Sequence, residues 1–419
     1  MQSRQHRRTW AAGALAAVGA LTLAGCGTGF SGGSSDEGGS GGLTSSDDSL
    51  SILIGSSGDA ETTAVEDAVA AWSEDSGIDA EVSVANDLPQ QLSQGFAAGE
   101  PADVFYLSTD YLAGYAGNGS LLAYGDELSN ADDFYPSLVQ NFTYEDDFYC
   151  APKDFSTLSL IINTRLWEEA GLTDADVPAT WDELADVAGR LSTDGRVGLG
   201  IGAEYQRVGV FLAQAGGGLV NEDGTEAIAS SPENLEALEY VQQLITDGSL
   251  AFAPALGAGW GGEAFGKELA AMTIEGNWIT GGLSADYPDT EYTVAELPAG
   301  PAGQGTLQFT NCWGIAADSP NQEGALDLIE YLTSTASQLA FSEAFGPMPS
   351  TESAAADWTE ANPELAPFLA GADYAQGMPT ADGSIDVITD FNAQLETLGD
   401  ADIEALLESV QSNLEAVVG

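Results

Sequence analysis

The sequence predicts an α/β protein of two lobes joined by strands that cross between them. Buried strands alternate with helices from residue 50 onward, at a pace typical of βαβ units and parallel sheets. Two similar stretches, 148–163 and 309–317, lie about 160 residues apart, and each holds a cysteine. We predict that they are neighbouring strands that cross between the lobes and border a binding cleft.

The N-terminus is typical of a bacterial lipoprotein. Basic residues precede an apolar run over 10–24, which is too short for a convincing membrane span and fits a secretory signal. The run ends in Leu23-Ala24-Gly25-Cys26, which resembles the lipobox. The resemblance implies cleavage before Cys26 and lipidation of its sulfur, whereas an ordinary signal peptide with an incidental cysteine is the alternative. Of residues 27–48, 14 of 22 are Gly or Ser, which predicts a flexible tether.

The charge balance excludes several classes of function. The 419 residues include nine basic and 66 acidic ones. Three of the basic residues and no acidic residue lie within 1–25, so the remainder has a net charge of −60. This charge repels nucleic acid and anionic membrane surfaces, and we expect no nucleic-acid partner. A solvated surface suited to high salt is one interpretation of the acidity, and cation binding is the other.

The single histidine, His6, lies in the predicted signal peptide. The chain after residue 25 therefore has no imidazole for Ser-His-Asp or Cys-His catalysis, or for the commonest zinc sites. We expect no catalytic residues, no metal and no cofactor.

Polar side chains follow two of the predicted strands, over 50–54 and 102–107. Ligands of parallel sheets bind beyond the carboxyl ends of the strands, so these side chains are candidate ligand contacts. Each could equally be the N-cap of the helix that follows. The candidates are Ser57, Asp59 and Glu61 after the first strand, and Ser108 and Asp110 after the other.

Three further segments complete the predicted body. Thr180 begins a helix with Glu183 in a capping box. The run 257–262 formally matches a dinucleotide fingerprint, but it follows no strand, so we interpret it as a flexible loop that presents Trp260. Two amphipathic helices, over 385–398 and 402–417, end the chain.

Six motifs in order resemble the family 1 extracellular solute-binding proteins, which are similar to maltose-binding protein. They are Pro152-Lys153-Asp154-Phe155-Ser156-Thr157-Leu158 with Asn163, Thr180-Trp181-Asp182-Glu183-Leu184, Ala264-Phe265-Gly266-Lys267, Ala271-Met272-Thr273-Ile274-Glu275-Gly276-Asn277-Trp278, Trp313-Gly314-Ile315-Ala316 and Gly346-Pro347-Met348-Pro349. The resemblance implies a two-lobed periplasmic-binding-protein fold with three crossovers at a hinge. It also implies a carbohydrate ligand and delivery to an ABC permease by a lipid-anchored monomer at the extracellular face of the membrane.

With this fold, the chain divides into four parts. Residues 1–25 are the signal peptide, and 26–48 are the lipidated cysteine and tether. Residues 49–152 with 313–346 are expected to form lobe 1, and 153–312 with 347–419 to form lobe 2.

The resemblance also assigns side chains to the cleft. Trp278 matches the family's tryptophan that stacks on a sugar ring, and Trp313 is a second expected wall of the cleft. Flat aromatics and groups that orient hydroxyls suit a neutral sugar. The aromatic candidates are Trp260, Trp278, Trp313, Tyr205 and Phe155, and the polar ones are Glu61, Asp110, Asp154, Glu275 and Asn277. For each tryptophan, packing in the core is the alternative.

The cysteines depart from the family, which usually lacks them at these places. Adjacent crossover strands would bring Cys150 and Cys312 within disulfide range. We expect them to form a disulfide, as an even pair in an oxidising compartment.

Other functions remain as alternatives. A receptor for glycerol phosphate would need a basic side chain in the cleft, and Lys153, Arg207 and Lys267 are available. A tethered glycoside hydrolase would need only two carboxylates, which this acidic chain offers everywhere. The cluster at 221–224 could bind calcium, but it lacks a full EF-hand loop.

Overall fold

The computed structural model describes residues 42–193, 195–221 and 223–418. The predicted signal peptide, Cys26 and most of the predicted tether lie outside these residues. The strands are β1 (Leu50–Ile54), β2 (Ala80–Val84), β3 (Val104–Ser108), β4 (Thr143–Tyr144), β5 (Asp147–Phe148), β6 (Ala151–Asn163), β7 (Val197–Ile201), β8 (Leu250–Phe252), β9 (Ala270–Gly276), β10 (Tyr292–Ala295), β11 (Thr306–Ile315) and β12 (Ala375–Gln376).

The helices surround these strands, and their order confirms the predicted α/β class. They are α1 (Asp59–Ser76), α2 (Leu88–Ala98), α3 (Thr109–Gly117), α4 (Pro136–Asn141), α5 (Thr164–Glu169), α6 (Trp181–Leu191), α7 (Tyr205–Gln214), α8 (Pro232–Thr246), α9 (Gly261–Gly266), α10 (Ile279–Asp286), α11 (Gln322–Leu332), α12 (Thr335–Phe345), α13 (Glu352–Ala361), α14 (Ala366–Ala370), α15 (Ser384–Leu395) and α16 (Ile403–Val418).

One sheet runs through the whole body in the order β2-β1-β3-β11-β6-β9-β7-β8, with β10 beside β6 and β12 beside β11. Strands β1, β2 and β3 are parallel, as are β7, β8 and β9. The two predicted crossover strands, β6 and β11, are antiparallel neighbours between these groups, with Phe309 opposite Ser156. The prediction that the two stretches lie side by side is therefore confirmed.

Two separate hydrophobic cores show why these strands are crossovers. On β6, Ala151 packs in a core with Trp72 and Ile329, and Leu160 packs in the other, with Phe211 and Leu414. Strand β11 crosses in the opposite direction, since Leu307 lies in the second core and Ile315 in the first. Burial of apolar surface in each core stabilises its own lobe, and only a few strands bridge the two.

The third crossing follows α12. Phe341 packs in the first core, and Met348 then bridges to Phe155 of β6. Trp358 and Phe368 pack with Phe155 and Met348 in a smaller cluster at the junction. The helices α15 and α16 end the chain in the second core, where both were predicted. The bounds of the two lobes given above stay predictions.

The cysteines form the expected disulfide, with their Cα atoms 5.5 Å apart. Both side chains are fully buried, among Phe105, Leu107 and Leu112. Cys312 lies opposite Leu107 on β3, so the bond lies inside the first lobe and not across the hinge. A bond in this position leaves the relative rotation of the lobes unrestrained.

The folded body begins before residue 49. Thr44 accepts a hydrogen bond from the Glu323 N–H and donates one from its hydroxyl to Ser319 O, 2.8 Å away. The Asn321 side chain donates to Asp48 O at 3.2 Å. These bonds hold 44–48 against the start of α11, so the predicted tether ends earlier than residue 48. In the part of the chain described, no helix has the length and apolar character needed to cross a membrane.

The disulfide closes a loop between residues 162 apart, which gives a stability prediction. Replacing Cys150 and Cys312 together by Ala should lower the free energy of unfolding by about 4–5 kcal/mol, because the unfolded chain regains loop entropy. Urea unfolding followed by circular dichroism measures the loss. Reductant should destabilise the wild type and leave the variant unchanged. Equal unfolding midpoints for the variant and the untreated wild type would contradict the prediction.

Candidate functional site

A cleft of about 510 Å³ opens where β6 and β11 pass between the cores. Its volume is in the range typical of small-molecule sites. Loops after β1 and β3, the two crossover strands, and the turns after β9 and α12 supply its walls. The lining residues are Gly55, Ser57, Glu61, Ser108, Thr109, Asp110, Asn141, Lys153, Asp154, Phe155, Ser156, Gln206, Asn277, Trp278, Gln308, Phe309, Thr310, Asn311, Phe345, Gly346, Pro347 and Met378.

On the first-lobe side, both carboxylate oxygens of Glu61 accept hydrogen bonds. It lies in the first turn of α1, where a negative charge favours the helix, and it is 3% exposed. One oxygen accepts from the Ser57 N–H and hydroxyl at 2.7 Å each, and the other from the Tyr106 hydroxyl and Lys153 Nζ at 3.1 Å each. Burial raises the pKa of Glu61, but Lys153 and Ser57 outweigh it, so the pKa is lowered.

Lys153 is the one basic side chain among the described residues that line the cleft, and carboxylates already surround it. It pairs with Glu61 and with Asp154, and its ammonium lies 4.6 Å from the centre of the Tyr106 ring. Burial lowers the pKa of Lys153, but Asp154, Tyr106 and Glu61 raise it by more. The net pKa is above the ordinary value, so Lys153 stays charged. A ligand therefore meets a neutralised cation at this wall.

Two aspartates face the cleft with oxygen atoms available to a ligand. Burial raises the pKa of Asp154, although Lys153 opposes the shift. Burial also raises the pKa of Asp110, at the start of α3, where a hydrogen bond from Ser108 only partly offsets it. Carboxylates that have lost water in this way gain from hydroxyl donors on a ligand.

Trp278 projects into the cleft from the second-lobe side. It is 39% exposed, which is unusual for a tryptophan in a protein of this size. Its ring lies on the backbone at Gly276, where a Cβ atom would come within 2.3 Å of the ring. The Phe309 ring meets it edge to face, with centroids 5.5 Å apart. A flat apolar surface is therefore held open toward the ligand space.

A buried ion pair holds Trp278 from behind. The indole N–H donates to Glu275 Oε2 at 3.1 Å, and the Arg207 Nη2 donates to the same oxygen at 2.7 Å. The Arg207 guanidinium also lies 5.4 Å from the Trp278 ring centre, within the range of cation–π attraction. Burial raises the pKa of Glu275, and Arg207 and Trp278 lower it in part.

Asn277 links the second lobe to the third crossing. Its backbone N–H donates to Ser156 Oγ at 3.0 Å, and its side-chain amide donates to Gly346 O at 3.0 Å. The residue thus ties the turn after β9 to β6 and to the end of α12. Its side chain lines the cleft where these elements meet.

The structure brings most of the predicted site residues together in one cleft. Those that line it are Ser57, Glu61, Ser108, Asp110, Asp154, Phe155, Asn277 and Trp278. The expectation that Trp313 forms a wall of the cleft is corrected, because Trp313 is 1% exposed and packs edge to face on Tyr106 in the first core. The expectation that Tyr205 lines the cleft is corrected as well, since its ring packs near Phe391 in the second core.

Three further predicted residues lie outside the cleft lining. The Trp260 ring folds over Gly262, where a Cβ atom would come within 2.1 Å of it, and does not project from its loop. Glu275 is buried behind Trp278, so it positions the indole and does not itself face the ligand space. Asp59 begins α1 with an exposed side chain and is not among the lining residues.

Several lining residues were not predicted. Phe309, Thr310 and Asn311 lie inside the stretch that was recognised as a crossover, so their place beside Cys312 was a usable signal. Pro347 lies in the motif 346–349, which was recognised without being assigned to the cleft, whereas no local pattern indicates the approach of Gln206, Phe345 and Met378. Among the described residues, no cluster of three or more metal-binding side chains occurs.

The buried Glu61–Lys153 pair gives a pH-dependent stability prediction. Glu61→Gln should destabilise the protein by about 2–3 kcal/mol at pH 7, because Lys153 loses one of its two partners. The pKa of Glu61 is lower in the folded state than its ordinary 4.5. Its contribution is therefore complete above about pH 4.5 and is lost as the pH falls through the folded value.

Thermal unfolding of the wild type and Glu61→Gln from pH 7 to pH 3 measures this difference. The gap between the two proteins should narrow as the pH falls below 4.5. Glu66→Gln, on the exposed side of the same helix, is the matched control and should stay within about 0.5 kcal/mol of the wild type. A gap that does not change with pH would contradict the assignment.

Comparison with known proteins agrees with this architecture. The sequence profile of the bacterial extracellular solute-binding proteins matches residues 67–367. A binding protein of Brucella abortus strain 2308 is 26% identical over 349 residues, which cover 79% of this chain and 83% of the relative. A binding protein of Brucella suis biovar 1 shows the same identity and coverage.

Solved structures share the fold at low identity. The cyclic α-maltosyl-1,6-maltose binding protein of Arthrobacter globiformis superposes with a TM-score of 0.78 at 22% identity, over 88% of this chain and 98% of that one. A solute binding protein of Thermotoga lettingae, solved with α-D-tagatose, gives 0.74 at 24% identity, over 89% and 100%. A Mycobacterium tuberculosis protein solved with glycerophosphocholine gives 0.71 at 19% identity, over 88% and 98%. With the profile spanning most of the chain, the protein belongs to the bacterial extracellular solute-binding protein family.

Proposed function

We propose that this protein is a membrane-anchored receptor that binds a neutral di- or oligosaccharide in the cleft and delivers it to an ABC permease. The observation that carries the ligand class is Trp278, a half-exposed ring set among hydrogen-bonding groups. A sugar presents apolar C–H faces and a rim of hydroxyls, so it needs one flat apolar contact and several polar ones. Asp110, Asp154 and Asn277 supply polar groups on the walls of the same cleft.

The electrostatics of the cleft favour a neutral ligand over a phosphate. Anions are bound by cations that are free to approach them, usually Arg or Lys. Lys153 already has Glu61 and Asp154, and Arg207 is held behind Trp278 by Glu275. A phosphate would have to displace a carboxylate from a buried pair and would approach a chain of strongly negative charge. We therefore place a glycerol phosphate ligand second to a neutral sugar.

The same proposal covers the anchor and the partner. Lipidation at Cys26 would hold the body at the extracellular face, and residues 27–41 would let it move between solution and a permease. The receptor acts as a monomer that closes on its ligand by rotation of the lobes about β6, β11 and the third crossing. No chemical change of the ligand is part of this function.

Sugar binding is tested by titrating the full chain, purified in detergent, with neutral saccharides and with glycerol 3-phosphate while recording tryptophan fluorescence. One neutral saccharide should saturate the signal with a Kd on the order of 1 μM, and glycerol 3-phosphate should not. Trp278→Ala should weaken binding about 10- to 100-fold, because the ring buries against the sugar. Trp260→Phe, outside the cleft, is the control and should bind normally.

Two results would overturn the proposal. Unchanged saccharide affinity in Trp278→Ala would mean that the Trp278 ring does not contact the ligand. Conversion of the saccharide into products would replace a receptor with an enzyme.

The anchor has its own test. Expressed in a bacterium that processes lipoproteins, the wild type should stay with the membrane fraction and incorporate labelled fatty acid. Cys26→Ser should lose the label and leave the membrane, because the body by itself supplies no other anchor in the proposal. A Cys26→Ser protein that stays on the membrane would contradict lipidation as the anchor.

A further inference from the structure

Residues 377–383, here called the strap, join β12 to α15 without helix or strand structure. Both of its ends belong to the second-lobe side. The strand β12 pairs with β11 at Thr306 and Leu307, and α15 packs in the second core through Val387 and Phe391. Within the strap, Pro379 is buried and Met378 packs against the same core. The second lobe therefore carries this segment.

The strap nevertheless lies against first-lobe elements at two points. A Cβ atom added at Gly377 would lie only 1.9 Å from Asn141 Oδ1 at the end of α4. A Cβ atom added at Gly114 of α3 would lie 3.9 Å from Asp382 Oδ1. A side chain at residue 377 would collide with the Asn141 amide unless the strap or that amide moved. The segment thus spans from the second lobe to α3 and α4.

These contacts lie beside the cleft. Asn141 and Met378 both line the ligand space. Asp110, another lining residue, is one helical turn before Gly114 on α3. The strap therefore passes beside side chains that we expect to orient a ligand, and Met378 presents an apolar side chain to the ligand space. A pyranose chain that grew in this direction would meet the strap.

We propose that the strap sets the length of the saccharide that the receptor accepts. It closes the end of the cleft at Asn141 and Met378, so that a short saccharide fits and a longer chain collides with Met378. This inference rests on the proposed sugar-binding function. The specificity-determining residues are Met378, which forms the end wall, and Gly377, which lets the strap seat against Asn141.

The test compares the binding of maltose through maltohexaose, and of the matching β-1,4-linked gluco-oligosaccharides, to the full chain. In the wild type, affinity should be highest for the short members and fall by about tenfold or more beyond a fixed length. Met378→Ala should move this limit by at least one ring. Gly377→Ala should do the same, because its methyl group forces the strap away from Asn141.

Two controls separate a length filter from a general loss of structure. Gly281→Ala, in α10 with open space around the position, should leave the length limit unchanged. Adding Asn141→Ala to Gly377→Ala should restore the limit, because the smaller side chain makes room for the methyl group. The readout is the ratio of affinities for long and short saccharides, which overall destabilisation does not change.

The outcomes are distinct. If the wild type binds saccharides of all lengths equally, or if neither Met378→Ala nor Gly377→Ala moves the limit, the length filter is wrong while the receptor stands. If the wild type binds no member of either series or any other neutral saccharide, the proposed function fails and the strap inference fails with it.

Discussion

The structure depends on the pairing of β6 with β11, because these two strands are shared by both hydrophobic cores. Each contributes apolar side chains to the first lobe at one end and to the second lobe at the other. Their backbone hydrogen bonds satisfy the polar groups of the connection, and the smaller cluster around Phe155 and Met348 packs at the same junction. The cleft opens along these strands, where Asp154 and Phe309 line it and Phe309 is only partly buried against the second core.

In this very acidic chain, the described residues that line the cleft include no unpaired cation. Lys153 and Arg207, two of the six basic residues after residue 25, are placed at this site, and each is paired with a buried carboxylate. Their charge stabilises Glu61 and Glu275, which in turn fix the loop after β1 and the indole of Trp278. The cations therefore support the geometry of the walls, and hydrogen-bonding groups such as those of Asp110, Asp154 and Asn277 are left to face the ligand.

Much of the fold could be predicted from the sequence, because its signals are local. The second half of β6 reads as a buried strand, and the pairing of Cys150 with Cys312 follows once β6 and β11 are neighbours. The burial of Trp313 in the first core could not be predicted from the sequence. A shift in register between Asn311 and Cys312 decides which face of β11 the indole occupies, and no sequence pattern marks it. Likewise, among 66 acidic residues, composition alone cannot separate a carboxylate that supports a wall from one that faces the ligand.

The position of the disulfide has a consequence for the order in which the chain folds. Cys150 and β3 are synthesised long before Cys312, which follows 162 residues later. Until β11 arrives, β3 has an unpaired edge and the first core lacks Ile315 and the helix α11. The N-terminal lobe therefore finishes folding only after most of the second lobe has appeared, and Cys150 waits as a free thiol in the meantime. The Cys150–Cys312 disulfide therefore forms only when that lobe is complete. A disulfide between Cys150 and any other thiol before that point would delay folding of the lobe.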